Sequence, residues 1–371
     1  MSGSENERAA HGAFRELPVV DVSGLYSDEI EARRKTARAL GAACREAGFF
    51  YLTGHRVAPS LIEGLLEQAA AFFALPSEGK YEYYIGKSTN HRGYVPPGEE
   101  VFYGGARDQK ESFDLCFELP IANCQLPTAN SPELPAGAVD ARRNPFAGAN
   151  VWPTLPGFRE AVGSYYAAVF ELGRRLLSGF ALALDLPETF FDHFVTAPPS
   201  QLRLLHYPPN PAPDVTVGIG AHTDYECFTI LLPTAPGLEV MNGAGEWIDA
   251  PPRPGAFVVN IGDTLEMWTN GALVATSHRV RKVNEERFSF PLFFSCDYEV
   301  EVAPLPQFIT AERPARYPPV KAGEHLYAQT LQSFTYLKER VSRGELSLPD
   351  TARPLSSFGQ EGKVIHARDV S

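Results

Sequence analysis

The sequence lacks the features that are typical of secreted proteins, of membrane-spanning proteins and of small domains stabilised by a structural zinc ion. Its 371 residues contain only five cysteines, which are scattered and form no C-x-x-C pair. A disulfide framework or a zinc knuckle is therefore not expected. We expect the cysteines to be reduced thiols in the cytosol. No apolar run approaches the roughly 18 residues of a membrane helix, and the polar first fifteen residues lack the apolar centre of a signal peptide. We expect a cytoplasmic protein with no membrane partner.

Charged residues are also few, at 21% of the chain, with 33 Lys and Arg against 45 Asp and Glu. No basic run of the kind that follows a phosphate backbone is present, so nucleic acid is not an expected partner. The hydrophobic content of 44% indicates a globular chain with a large core. The expected partner is a small organic substrate. The oligomeric state stays open, with a monomer favoured.

What is present predicts the fold. Between residues 201 and 302, short strand-like segments alternate with Pro- and Gly-containing turns, as in a double-sheet jelly roll. Apolar positions at helical spacing in 157–184 and 318–343 predict helices that brace this barrel. We predict a mainly β fold with flanking helices, in which a double-stranded β-helix (a distorted jelly roll) carries an N-terminal α/β extension. The expected boundaries are 15–135 for the N-terminal region, 198–305 for the core, and 156–186 and 318–343 for bracing helices of the same globular unit.

One stretch, residues 220–232, is rich in β-branched and aromatic residues and follows a turn-rich segment, which predicts a strand entering the core. Because side chains alternate along a strand, His222 and Asp224 would point the same way. An imidazole beside a carboxylate provides two of the three ligands of a facial metal site, and the third is expected from another strand. The candidate is His278, in the β-rich run 275–280.

A candidate anion-binding pair follows on the next predicted strand, where Arg287 and Ser289 share a face. A buried Arg needs an anionic partner, because an unpaired buried charge is costly. If no protein carboxylate faces Arg287, a ligand carboxylate must. A bidentate Arg–carboxylate pair would suit a dicarboxylate cosubstrate. Two His and one carboxylate with open coordination positions are the ligand set of non-haem Fe(II) oxygenases.

These motifs together resemble the isopenicillin N synthase-like 2-oxoglutarate/Fe(II) dioxygenases, and the H-T-D-Y-E-C-F run is closer to microbial than to plant members. The resemblance covers roughly residues 15 to 310. It is carried by H-T-D at 222–224, His278 and R-x-S at 287–289. Further similar segments are 17–21, 47–55, 204–209 and 258–263.

The resemblance implies a reaction and a set of site residues. The enzyme would use O₂ and 2-oxoglutarate, giving succinate and CO₂, to hydroxylate, desaturate or cyclise a small organic substrate. The Fe(II) ligands, and hence the catalytic residues, would be His222, Asp224 and His278. The residues that bind 2-oxoglutarate would be Arg287, Ser289 and Tyr207.

Three other functions stay open at this point. The family's namesake uses no 2-oxoglutarate, and its R-x-S pair holds the substrate's carboxylate, so a 2-oxoglutarate-independent Fe(II) oxidase or cyclase fits Arg287 and Ser289 equally well. A His₂Asp zinc hydrolase is chemically possible, but it gives R-x-S no role. A non-catalytic binder on the same scaffold is the third alternative, although such proteins usually lose a ligand or the Arg.

Substrate specificity is expected from the loop-rich residues 86–150, from the strand around Leu204 and Leu205, and from the apolar segment 290–294. Arg92 and Arg107 are candidate polar anchors for the substrate. Two polar residues between the candidate ligands, Asn260 and Asp263, are interpreted as turn and cap residues.

Overall fold

A computed structural model describes most of the chain, apart from its two ends and five internal segments; Arg107 lies outside the described residues. The described residues are 12–101, 110–118, 143–209, 217–281, 285–350 and 352. None of the helices within these ranges is long and apolar enough to cross a membrane.

Two β-sheets form the centre of the molecule, and their strands are numbered in chain order. The larger sheet has eight strands, which pair in the order β1 (Val19–Asp21), β2 (Phe49–Thr53), β10 (Phe257–Ile261), β7 (Phe228–Pro233), β12 (Arg287–Phe294), β5 (Gln201–Tyr207), β4 (Glu111–Cys116) and β3 (Gly93–Val95). The smaller sheet pairs β6 (Val217–His222), β11 (His278–Arg281), β8 (Leu238–Met241) and β9 (Trp247–Asp249). A separate pair is formed by β13 (Glu301–Val302) and β14 (Val320–Lys321). Apolar side chains of both larger sheets share one buried cluster, so the sheets pack on each other.

The N-terminal α/β segment is part of the large sheet. Strand β2 pairs directly with β10 and extends the large sheet. At the other edge, β3 and β4 from the loop-rich region pair with β5. Both edges of the sheet are therefore built from residues that precede the predicted core. The added strands supply hydrogen-bonding partners for the backbone groups of β10 and β5, which would otherwise be unpaired.

Seven α-helices lie in the described ranges. They are α1 (Ile30–Glu46), α2 (Pro59–Phe73), α3 (Ser77–Tyr81), α4 (Phe158–Ala183), α5 (Asp263–Trp268), α6 (Ala322–Ser333) and α7 (Thr335–Ser342). The long helix α4 contacts α1, α2 and strand β12. The contact with β12 is close: a Cβ atom added to Gly173 would lie 2.3 Å from the Phe294 ring.

The closing helix predicted over 318–343 is broken into α6 and α7 at Phe334, which has extended backbone angles. The cause is pairing with the N-terminal region, where Glu100 and Phe334 form an antiparallel bridge. The backbone N–H of Thr335 donates to the Glu99 carbonyl at 2.9 Å. This bridge sets the end of the helix pair against one wall of the candidate site.

Candidate active site

Three candidate metal ligands lie close together between the small sheet and the large one. The pairing of β11 with β6 places His278 directly opposite His222. The two Nε2 atoms lie 3.6 Å and 3.7 Å from the same oxygen, Oδ1 of Asp224. One ligand atom from each residue lies within 4.8 Å of the others. The structure thus brings together the three residues that the sequence pattern singled out.

The route by which they meet differs from the prediction. Residues 220–232 are not one strand: β6 ends at His222, a turn follows, and β7 begins at Phe228. Asp224 therefore reaches the site from a turn rather than by strand alternation. The turn is held by the segment after β10, since the N–H of Asp263 donates to the Asp224 carbonyl at 2.8 Å.

Backbone carbonyls orient both imidazoles. Nδ1 of His222 lies 2.8 Å from the carbonyl oxygen of Gly220, and Nδ1 of His278 lies 3.2 Å from that of Thr276. A carbonyl can only accept a hydrogen bond, so each Nδ1 carries a proton, and in the neutral form of each ring Nε2 presents a lone pair. Metal-binding histidines are usually held in this way.

The carboxylate of Asp224 is also fixed. Its Oδ2 accepts hydrogen bonds from Thr229 Oγ1 at 2.5 Å and from Asn260 Nδ2 at 2.7 Å, which leaves Oδ1 facing the histidines. Burial raises the pKa of Asp224, but the charges of His278 and His222 and these two hydrogen bonds outweigh it and hold the pKa below its ordinary value. The carboxylate is therefore prepared to bind a cation in its ionised form.

Asn260 was interpreted as a turn residue, and that was wrong. It lies within β10, is buried, and donates to the Asp224 carboxylate. The available signal was its place as a polar residue in an otherwise apolar strand, where a buried amide needs a partner. Asp263 begins α5, and its Oδ1 accepts a hydrogen bond from Thr223 Oγ1 at 2.8 Å.

The pair Arg287 and Ser289 lies in the same cavity as the three candidate ligands. This cavity, called the Arg287 cavity here, is lined among others by His222, Asp224, His278, Tyr207, Arg287 and Ser289. Strand pairing sets the arrangement, because Arg287 on β12 lies opposite Tyr207 on β5. The guanidinium carbon of Arg287 lies 4.7 Å from the centre of the Tyr207 ring.

The Arg287 side chain is buried, with 1% exposure, yet no carboxylate in the described part of the chain forms an ion pair with it. Its Nε donates to the Ala235 carbonyl at 3.3 Å, and its Nη1 has no hydrogen-bond partner among the described residues. Burial lowers the pKa of Arg287, and the contact with Tyr207 opposes this shift. A buried guanidinium with an unsatisfied N–H group is suited to bind an anionic ligand, such as one carboxylate of a dicarboxylate.

A second cavity also borders the His222–Asp224 pair. This cavity, named the Glu226 cavity, is lined by both of those residues and by four ionisable side chains, namely Glu226, Glu100, Lys110 and Arg203. Burial, and then the negative charge of Asp224, raise the pKa of Glu226 to about 8. Sequence reasoning missed Glu226, although it is a polar residue in an apolar run directly after Asp224.

Arg92, predicted as a substrate anchor, has another role in this structure. Its side chain is 1% exposed, and its Nη atoms donate to the carbonyls of Phe117, Phe146 and Gly148 and to Oδ1 of Asn150. These contacts tie together the loop segments on either side of the undescribed residues 119–142. The guanidinium is therefore occupied by the protein itself.

Comparison with known families gives two matches that together cover most of the chain. A model described as the 2OG-Fe(II) oxygenase superfamily matches residues 198–295. A model described as non-haem dioxygenase in morphine synthesis N-terminal matches residues 17–155. Both matches agree with the predicted family, and the first confirms the predicted jelly-roll core together with the structural likeness below.

Individual relatives are similar over nearly their whole length. The 2-oxoglutarate-Fe(II) type oxidoreductase hxnY of Emericella nidulans is 34% identical over 88% of this chain and 94% of its own. Homoarginine-6-hydroxylase of Oryza sativa subsp. japonica is 34% identical over 86% and 98%. A full-length Neurospora crassa protein, solved in complex with alpha-KG and thymine, is similar with a TM-score of 0.68, at 26% identity over 91% of this chain and 99% of that one.

Proposed function

We propose that this chain, which belongs to the isopenicillin N synthase-like 2-oxoglutarate/Fe(II) dioxygenases, binds its Fe(II) through His222, Asp224 and His278. One observation carries the proposal: the two Nε2 atoms converge on a single carboxylate oxygen at 3.6 and 3.7 Å. The other atom of each ring and of the carboxylate is already hydrogen-bonded, so the remaining ligand atoms all face one point. Two His and one carboxylate are a ligand set for Fe(II) that leaves positions open.

The protein is an oxidoreductase with Fe(II), 2-oxoglutarate and O₂ as cofactors. When bound, Fe(II) and 2-oxoglutarate supply the oxidation of a substrate C–H bond by O₂, with succinate and CO₂ as the co-products. The 2-oxoglutarate-independent oxidase or cyclase receives no support from the comparisons. For this chain we propose hydroxylation, desaturation or ring closure of a small organic molecule.

We assign the distal carboxylate of 2-oxoglutarate to Arg287, with Ser289 and Tyr207 as further hydrogen-bonding groups. The support is the buried Nη1 of Arg287, which belongs to the same cavity as the metal triad and has no hydrogen-bond partner among the described residues. Ser289 is 2% exposed and two residues along the same strand, so its hydroxyl is on the same face. Tyr207 fixes the guanidinium by stacking against it.

The organic substrate is assigned to the Glu226 cavity, which shares His222 and Asp224 with the Arg287 cavity but is not lined by Arg287. Among the relatives, one is named a homoarginine hydroxylase and another was solved with thymine, both small organic molecules. We further propose that the chain acts as a cytoplasmic monomer. We also propose that residues 15–135 and 198–305 with helices α4, α6 and α7 form one unit, which is supported by the strands they share.

The test compares His222→Ala and Asp224→Ala with His193→Ala, an exposed His in a short 3₁₀ turn far from any motif. Metal content after anaerobic loading with Fe(II), and succinate formed from 2-oxoglutarate, are measured for each. Both site variants should lose iron and succinate formation together, while His193→Ala keeps both. Undiminished iron binding in Asp224→Ala would contradict the assignment.

A further inference from the structure

The Glu226 cavity contains two buried cations, and both are neutralised by the protein. Lys110 Nζ lies 2.5 Å from Glu100 Oε2. Arg203 Nη1 lies 2.7 Å from Glu100 Oε1, and Arg203 Nε lies 3.0 Å from Asp114 Oδ1. Two cations and two carboxylates cancel in charge. A substrate carboxylate entering the cavity would therefore have to compete with Glu100 and Asp114 for a cation that is already paired.

Glu226 is the exception in this wall. Its side chain is 92% buried, since its relative exposure is 8%, and it lines the cavity beside His222 and Asp224. The backbone N–H groups of Tyr225 and of Glu226 itself lie near its carboxyl group and oppose the effect of burial on its pKa. No Lys, Arg or His in the described ranges forms an ion pair with it. The group can accept further hydrogen bonds, because a carboxyl group has about four acceptor positions.

The position of Glu226 is rigid. Its carbonyl accepts the N–H of Thr264 at 3.2 Å, and the chain at Gly262 approaches so closely that an added Cβ atom would lie 2.1 Å from that carbonyl oxygen. The following residue, Cys227, is fully buried and bonded to β12 through its N–H. Because the backbone at Glu226 is held and its side chain is buried, less conformational entropy is lost when a ligand binds there than at an exposed, mobile site.

We propose that the substrate carries an N–H donor group, as an amine, amidine, guanidine, amide or ring imide does, and that Glu226 accepts its hydrogen bond. This inference rests on the proposed function, since it assumes that the Glu226 cavity is the substrate site. It holds for the carboxylate and for the carboxylic acid, because each has an oxygen that accepts from N–H. It also predicts that simple carboxylic acids without an N–H group are poor ligands of this cavity, since its cations are occupied.

The experiment uses three probes with the same carbon skeleton: butylammonium, butyramide and butyrate. The full chain is loaded with 2-oxoglutarate and with Mn(II), which replaces Fe(II) and prevents turnover. The paramagnetic ion shortens the relaxation of probe protons that bind near it, so titrations followed by proton NMR give an apparent Kd for binding next to the metal. A separate anaerobic sample with Fe(II) reports 2-oxoglutarate binding through its visible charge-transfer band, so a failure of the proposed function is seen independently of the probes.

Three variants decide the role of Glu226. Glu226→Gln keeps an acceptor oxygen, so we expect it to change the Kd of butyramide little. Glu226→Met removes the acceptor and should weaken both butylammonium and butyramide roughly tenfold or more. Glu299→Gln changes an exposed carboxylate paired with Lys321 and should change neither.

Butyrate binding should be unchanged or improved in both Glu226 variants. The inference is overturned if butylammonium and butyramide do not bind to a complex that shows the 2-oxoglutarate band. It is equally overturned if Glu226→Gln and Glu226→Met, folded by circular dichroism, bind all three probes as the unaltered chain does. In either case the substrate is recognised elsewhere in the cavity.

Discussion

Replacing Arg287 by Met removes a buried cation for which the described residues provide no carboxylate. The matched control is Arg203→Met, because Arg203 is also buried but pairs with Glu100 and Asp114. Removing one partner of a buried ion pair costs about 3–5 kcal/mol, since a charge is left uncompensated. Arg203→Met should therefore lose about that much free energy of unfolding.

The Arg287 variant should behave differently in the ligand-free protein. The replacement loses one hydrogen bond to the Ala235 carbonyl and the contact with the Tyr207 ring, about 1–2 kcal/mol together. It also relieves the desolvation of an unpaired guanidinium, several kcal/mol in the opposite direction. We expect the free energy of unfolding to change by less than about 1 kcal/mol, or to rise.

The stabilisation gained on adding 2-oxoglutarate should distinguish the two variants in the opposite way, because only Arg287→Met should lose it. With Fe(II) bound, 2-oxoglutarate at about a hundred times its Kd stabilises the unaltered chain by about 2.7 kcal/mol. Arg287→Met should lose nearly all of this stabilisation, whereas any folded Arg203→Met should keep it. The assay is urea unfolding under anaerobic conditions with and without 2-oxoglutarate. If Arg287→Met destabilises the ligand-free protein as much as Arg203→Met does, the reasoning is refuted, because Arg287 then has an anionic partner in the chain.

Three further predictions follow from the contacts described above. Asn260→Leu removes a hydrogen bond that holds Asp224, so Co(II) affinity, measured by visible absorption, should fall roughly 10- to 100-fold with the fold intact. Burial raises the pKa of Glu100, but its paired cations outweigh this and hold the pKa at about 2, below the ordinary 4.5. The free energy of unfolding should therefore fall as the pH drops from about 4.5 towards 2. Unfolding of Glu100→Gln, measured over the same pH range, should lack this decrease. Gly173→Ala places a Cβ atom 2.3 Å from a buried ring and should cost about 1–3 kcal/mol by urea unfolding, whereas Gly64→Ala, with 3.6 Å of space, should be neutral or stabilising.

Local patterns in the sequence predicted the fold class and the bounds of the long helix α4 closely. The helix expected over 157–184 extends from Phe158 to Ala183, because its apolar positions repeat at helical spacing and Gly157 adopts the left-handed backbone conformation at its start. Alternation along β12 also placed Arg287 and Ser289 on one buried face. Signals of this kind are local, so a single sequence contains them.

The features that sequence reasoning missed depend on long-range pairing. The break at Phe334 comes from a bridge to Glu100, more than 200 residues away, which helical periodicity cannot report. Local sequence cannot identify Asn260 as a partner of Asp224, because the two residues lie 36 positions apart in the chain. Likewise, the neutralised cations of the Glu226 cavity could not be recognised before the pairing of β4 with β5 brought Asp114 opposite Arg203.

The most direct test of the account is an anaerobic titration of the Fe(II)-loaded chain with 2-oxoglutarate, followed by the visible charge-transfer band that chelation produces. The account predicts a saturable band with one 2-oxoglutarate per bound iron. The band should be absent in Asp224→Ala, which we expect to lose its iron. In Arg287→Met it should require at least a hundredfold more 2-oxoglutarate, since we expect a loss of about 3 kcal/mol or more of binding free energy. A band that saturates at the same concentration in Arg287→Met would contradict the account, because the carboxylate of the cosubstrate would then be held elsewhere.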